Sequence, residues 1–271
     1  METPKEARQR AAAAYDAAAD CYDHPANSFW ARFGRCTIER LRLPRGARVL
    51  DVCCGSGASA IPAAEAVGAE GSVLGVDLAE NLIALARRKA KSLGLAQASF
   101  RKGDLLDLGR LAGEFDAVVC VFGIFFVPDM DAAARELWRL VRSGGALAVT
   151  TWGPRLFEPV NTAFWDSVRA LRPDLHKAFN PWDRISQPDA LRSLLAAAGV
   201  TEAEVVAEKH AHPLAAPEDW WRLVMGSGYR GTVEQLEPED RARVREDCLR
   251  FVEANRVRSV EASVVFAVAR K

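Results

Sequence analysis

The stretch RVLDVCCGSG, residues 48–57, sets the problem. A run of β-formers carries one carboxylate, Asp51, and leads directly into a turn with glycines at 55 and 57. Glycine lets a backbone turn tightly and approach a ligand that a side chain would keep away. Three kinds of site begin like this, and the residues around the glycines separate them. A triphosphate-binding loop needs Gly-Lys-Ser/Thr after its glycines, whereas GSGASA (55–60) has no lysine. A dinucleotide turn needs G-x-G-x-x-G or a close variant, and Gly55-x-Gly57-x-x-Ala60 meets only its permissive form. Asp51 fits neither, since a carboxylate is unhelpful beside a pyrophosphate. It suits a cationic amino group, reached directly or through water.

Outward from this turn the chain alternates regularly. Strands are expected at 47–53, 72–78, 98–102, 115–123 and 146–152, with helices at 57–67, 79–94 and about 130–142 and a turn at SGG. Pro62 must sit in the first turn of its helix, and Gly94 closes the next one. Near-continuous apolar strands alternating with helices indicate an α/β fold, a mostly parallel sheet with helices on both faces. Two helices, 5–20 and 28–42, precede the alternation and are separated by the aromatic segment YDHPANSFWARF (22–33). After residue 153 the rhythm breaks: 160–171, 188–198, 217–228 and 236–253 read as helix, 201–210 and 262–270 as strand. The expected organisation is an N-terminal helical cover (1–44), a cofactor-binding α/β core (45–152), and the remainder of the same domain with helical insertions over the substrate (153–271).

Two more acids follow strands. Asp77 ends VLGVDL, where a carboxylate can accept both hydroxyls of a ribose, and Asp104 follows the third strand, within reach of an adenine amino group. Charges are seldom placed at sheet ends without a partner, so three acids after three successive strands point to a bound ligand.

LDVCCGSGASAIPAA, GSVLGVDLAENLIALARRKA, FRKGDLLDL and FDAVVCVFGIFFVPDMDAAARELWRLVRSGGALAVTTW together resemble a class I S-adenosylmethionine-dependent methyltransferase, in its ubiquinone/menaquinone-biosynthesis-like branch, over about residues 45–152. The resemblance implies a Rossmann-like seven-stranded sheet whose last strand is antiparallel, and S-adenosyl-L-methionine as cofactor. It brings Gly55, Ser56 and Gly57 to the cofactor's amino-acid end and Asp77 to the ribose, and Tyr15, Asp51 and Cys53 are further candidate cofactor-binding residues. It sets Leu78 and Leu82 against the adenine or ribose, Gly103, Asp104 and Leu105 along the adenine, and Cys120 and Val121 beside the cofactor at the fourth strand. The family turn often has glycine soon after the motif's acid; here Cys53 and Cys54 hold those places.

The bulk numbers exclude several other classes. With 36 basic and 36 acidic residues there is no global field for nucleic acid or an anionic membrane, and the N-P-P-Y pattern of base methylation is absent. No stretch is apolar enough to span a bilayer, and the N-terminus lacks a signal-peptide core. The six cysteines are too sparsely spaced for a disulfide framework or zinc knuckle, and the four histidines form no metal set. A soluble, cytoplasmic protein with free thiols and no metal is expected.

Methyl transfer needs an acceptor held in line with the leaving sulfur and shielded from water. Aromatic side chains suit a cationic methyl donor. Phe29, Trp30, Phe122, Phe125, Phe126, Trp152 and Phe157 are the candidates to surround the substrate. His24, with Tyr22 beside it, is the candidate to take a proton from an acceptor hydroxyl or amine. The apolar run VFGIFFVP (121–128) after the fourth strand suggests a small apolar or aromatic acceptor. An NAD-dependent oxidoreductase on a related fold, and a non-catalytic adenosylmethionine-binding regulator, are the alternatives.

Overall fold

The computed structural model describes residues 4–108, 114–177 and 179–271. Helix α1 (Pro4–Ala18), a short 3-10 turn at Pro25–Asn27 and helix α2 (Phe29–Leu41) lead into strand β1 (Arg48–Val52). The alternation then runs α3 (Ala60–Val67), β2 (Ser72–Asp77), α4 (Glu80–Ser92), β3 (Ala98–Lys102), β4 (Phe115–Val121), α5 (Met130–Leu140), β5 (Val141–Trp152). Next come α6 (Val160–Leu171), α7 (Pro188–Ala197), β6 (Ala203–Glu208), β7 (Ala211–Pro213), α8 (Glu218–Met225), α9 (Arg230–Val233) and α10 (Pro238–Ala254). Strands β8 (Ser259–Glu261) and β9 (Val264–Arg270) end the chain.

Seven strands form one sheet in the order β3-β2-β1-β4-β5-β9-β6. Its first five strands are parallel, and β9 runs antiparallel to both β5 and β6. This is the mixed seven-stranded α/β sheet expected above.

Side chains alternate across the strands as a period of two requires. Val49, Ala117, Val119, Ala146 and Ala148 face a core shared with α3, α4 and the end of α2. Leu50, Val52, Val118, Cys120, Leu147 and Val149 face the opposite core, with α5 and α7. Helix α2 serves both: Phe29, Trp30 and Phe33 join the second core, Ile38 and Leu41 the first. Asp129 caps α5 by accepting from Ala132 N at 2.8 Å.

Three expectations are corrected. The helix read from residue 57 begins at Ala60, because Gly57 has φ +86° and belongs to the turn. The SGG turn is absorbed into β5, which starts at Val141 opposite Phe115; its register shifts before Ala117 meets Ala146. The strand read over 201–210 ends at Glu208 as β6, and β7 just after it pairs antiparallel with β8, beyond α8–α10, as a separate two-stranded sheet. Among the described residues no helix is long and apolar enough to cross a membrane.

Candidate active site

The carboxyl ends of β1, β2 and β4 open on one cavity, with an empty volume of ≈ 730 Å³ counting open solvent. Its floor begins at the β1 turn. Cys53, Gly55 and Gly57 have φ of +61°, +52° and +86°. For glycine this costs little; for a cysteine it is strained by roughly 1–3 kcal/mol. The turn is held by hydrogen bonds to β2. Cys54 N donates to Val76 O at 3.1 Å, and Gly55 N donates to Asp77 Oδ2 at 2.8 Å. Space for the Cys53 side chain comes from β4's end. A Cβ on Gly123 would lie 2.4 Å from Cys53 Cβ and 2.8 Å from its Sγ. A cysteine replaces the usual glycine in the turn, and a glycine opposite makes room for it. A hydrogen bond with Cys120, then burial, pushes the Cys53 thiol well above its ordinary pKa.

Asp77 is the charged centre of the floor. Its Oδ1 accepts from Ala79 N at 2.9 Å while Oδ2 holds Gly55. Each oxygen keeps further lone-pair capacity. Burial lifts its pKa, opposed by the N–H groups of Ala79, Gly55 and Leu78. Leu78, Leu82, Gly103, Asp104, Leu105 and Val121 complete this side of the wall. Asp104 accepts from Leu106 N at 2.9 Å and pairs with Arg8 Nε at 3.4 Å.

The roof comes from the N-terminal cover and the segment after β4. Arg8, Ala11, Ala12 and Tyr15 of α1 face the cavity with Tyr22, Trp30, Phe122, Gly123, Phe126 and Val127. Tyr22 stacks on Trp30 at 5.0 Å, and its hydroxyl would lie 3.1 Å from a Cβ on Gly55. Burial pushes the Tyr15 and Tyr22 phenols well above their usual pKa, and nearby charges and phenols, including Asp77, add to it.

Several expected residues lie elsewhere. Asp51 is not in the wall. Leu50 and Val52 point to one core, so Asp51 points to the other face, where Ser59 Oγ donates to its Oδ2 at 2.7 Å. It is 1% exposed, its Oδ1 has no partner, and burial raises its pKa to about 7. Ser56 is turned outward from the cavity and donates to Asp23 Oδ1 at 2.7 Å. Gly57 packs towards Ile61, and Cys120 lies beneath Gly123. His24 is outside the wall too: its Nδ1 accepts from Ala26 N at 3.1 Å and caps the 3-10 turn. A ring nitrogen committed to a backbone N–H is poorly placed as a base.

Of the expected substrate aromatics, Trp30, Phe122 and Phe126 face this cavity. Trp152 lies behind Phe122, stacked at 3.9 Å, and Phe29 packs against Trp30, Trp152 and Phe157. Phe125, Phe126 and Phe157 border a second cavity. The residues that sequence reasoning missed are Arg8, Ala11, Ala12, Gly123 and Val127. Positions 8, 11, 12 and 15 follow helical i, i+3, i+4, i+7 spacing, a signal present in the sequence. Among the described residues no group of three or more His, Cys, Asp or Glu could hold a metal ion, and the six cysteines are free.

The donor set suits an adenosine-bearing cation: a carboxylate with spare lone pairs, leucines for a flat base, and aromatic faces around them. Residues 49–145 match the family model described as a methyltransferase domain. Nocamycin O-methyltransferase of Saccharothrix syringae is 30% identical over 258 residues, covering 89% of this chain and 90% of that protein. The chain belongs to the class I S-adenosylmethionine-dependent methyltransferases. Demethylmenaquinone methyltransferase of Geobacillus kaustophilus is 37% identical over 121 residues, 44% of this chain; the match spans about half of that relative, 52%. The fold is shared with phosphoethanolamine N-methyltransferase 2 of Haemonchus contortus, solved with S-adenosylhomocysteine: TM-score 0.54, 16% identity, covering 88% of this chain and 52% of that one. S-adenosylmethionine is therefore the cofactor of this methyltransferase, and the NAD-dependent alternative is set aside.

Proposed function

We propose that this methyltransferase transfers a methyl group to a small, largely apolar or aromatic acceptor. The observation that carries the reading is one cavity with Asp77 and the glycine turn on its floor and Tyr15, Tyr22, Trp30, Phe122 and Phe126 around it. S-adenosylmethionine supplies an electrophilic methyl on a sulfonium sulfur. Asp77 would take the ribose hydroxyls on its spare lone pairs, Leu78, Leu82 and Leu105 would flank the adenine, and Asp104 would accept from the adenine amine. Gly55 and Cys53 would border the amino-acid end. The aromatic faces would hold the cation by about 0.5–2 kcal/mol each and exclude water.

Protonation narrows the mechanism. The Tyr15, Tyr22 and Cys53 acids are all raised, chiefly by burial or the thiol contact, so they hold their protons at neutral pH. His24 is committed to Ala26. The wall then works by positioning and desolvation, and the acceptor brings its own lone pair or ionised atom. The relatives named for nocamycin and demethylmenaquinone support a small organic acceptor. The test is transfer of labelled methyl from S-adenosylmethionine to a panel of phenols, enols, quinols, amines and carboxylates. Labelling confined to apolar or aromatic members supports the reading; labelling confined to small hydrophilic amines contradicts it.

A further inference from the structure

The second cavity adjoins the first and shares Ala11, Tyr15 and Phe126 with it. It is larger, ≈ 1500 Å³ of empty volume with open solvent included. Tyr15 and Phe126 meet edge to face at 5.4 Å and form the partition. Beyond them the walls are aromatic: Phe125 lies 4.8 Å from Phe126 and 5.6 Å from Trp182, and Trp165 lies 5.9 Å from Tyr229. Such a chamber suits a ring system several times the size of a methyl acceptor atom.

Arg10 and Lys177 both stand in the wall. The Lys177 ammonium lies 5.8 Å from the Trp165 ring centroid, and no carboxylate among the described residues pairs with it. Asp174, a carboxylate of the same wall, is spent on Arg172, which donates to it at 2.9 and 2.7 Å. Desolvation and then the charge of Arg10 pull the Lys177 pKa down, although the residue as a whole is exposed. The charged form of Lys177, desolvated beside an aromatic chamber, is stabilised by an anion placed at it.

Building on the methyl-transfer reading, we propose that the second cavity is the acceptor chamber, and that it selects acceptors joining an apolar ring system to an anionic group such as a carboxylate or ionised enol, recognised by Lys177. The ring system fills the space among Phe125, Trp165 and Trp182, and the reacting atom reaches the cofactor past Tyr15 and Phe126.

The experiment compares two fluorescent probes of one skeleton in saturating S-adenosylhomocysteine: anionic 8-anilinonaphthalene-1-sulfonate and neutral N-phenyl-1-naphthylamine. Lys177→Gln should weaken the sulfonate about tenfold and the neutral probe less than about twofold, and Lys177→Arg should keep the sulfonate bound. Equal weakening of both probes, or of neither, overturns the proposal. S-adenosylhomocysteine affinity, measured alongside, should not change in either variant. Absence of methyl transfer to every acceptor, beside an intact difference between the probes, would overturn the function proposed above while leaving the anion preference of the chamber standing.

Discussion

The floor and the roof of the cofactor cavity are built on different physics. The floor is backbone: strand ends, a turn with alternating positive φ, and two main-chain N–H groups gathered on Asp77. The roof is side-chain packing: one face of α1, a Tyr22–Trp30 stack and Phe122 lying on Trp152. A floor of this kind tolerates few substitutions, because the sheet register fixes it. A roof of rings and alanines can be repacked to fit another acceptor.

The largest effect should therefore come from the floor. Asp77→Ala removes the proposed ribose acceptor and leaves Gly55 N–H without its partner, so affinity for S-adenosylhomocysteine should fall about 100-fold. Calorimetry reads this directly, and a change under about threefold would move the ribose elsewhere. Next is the Cys53–Gly123 exchange. Gly123→Ala puts a Cβ 2.4 Å from Cys53 Cβ and should cost about 2 kcal/mol of stability. In a Cys53→Gly background roughly half of that should return. Denaturant titration of the four proteins measures the coupling, and simple additivity would show that the two positions do not accommodate one another.

Asp51 gives a pH signature. Its folded pKa, about 7, lies above the ordinary aspartate value. The folded chain thus keeps a proton that the unfolded chain has released. The stability contributed is complete below about pH 4 and is lost as pH rises to about 7. Relative to Asp51→Asn, the wild type should lose up to ~4 kcal/mol over that window. Parallel stability-against-pH curves for the two proteins would mean that Asp51 is ionised in the fold. The smallest effect belongs to the cover. His24→Ala removes a turn cap and should cost about 0.5–1 kcal/mol of stability with turnover unchanged. A large fall in kcat at unchanged KM would restore His24 as a base.

The same division explains what was legible in the sequence. Strand spacing and acids after strands are local patterns, so the sheet and the placement of Asp77 and Asp104 followed from VLGVDL and FRKGDLLDL. Asp51 stands outside the cavity wall, and period-2 alternation carries that information: its neighbours Leu50 and Val52 share the opposite core. The turn cap made by His24 was not legible, because its partner is a backbone N–H two residues away, invisible as a side-chain motif. The aromatics could be named but not sorted. Whether Phe29 or Phe126 reaches a cavity depends on packing between segments distant in sequence. The second cavity draws on α1, the turn after β4, the segment after α6 and the residues around α9, and no local spacing joins those.

The most direct test of the central claim, that the β1–β2–β4 cavity holds S-adenosylmethionine, is calorimetric titration of the wild-type chain with S-adenosylmethionine, S-adenosylhomocysteine and NAD. One saturable site for each of the first two, with Kd of about 1–100 μM, and no heat from NAD is the predicted result. Saturable NAD binding, or no binding of S-adenosylhomocysteine, would contradict it.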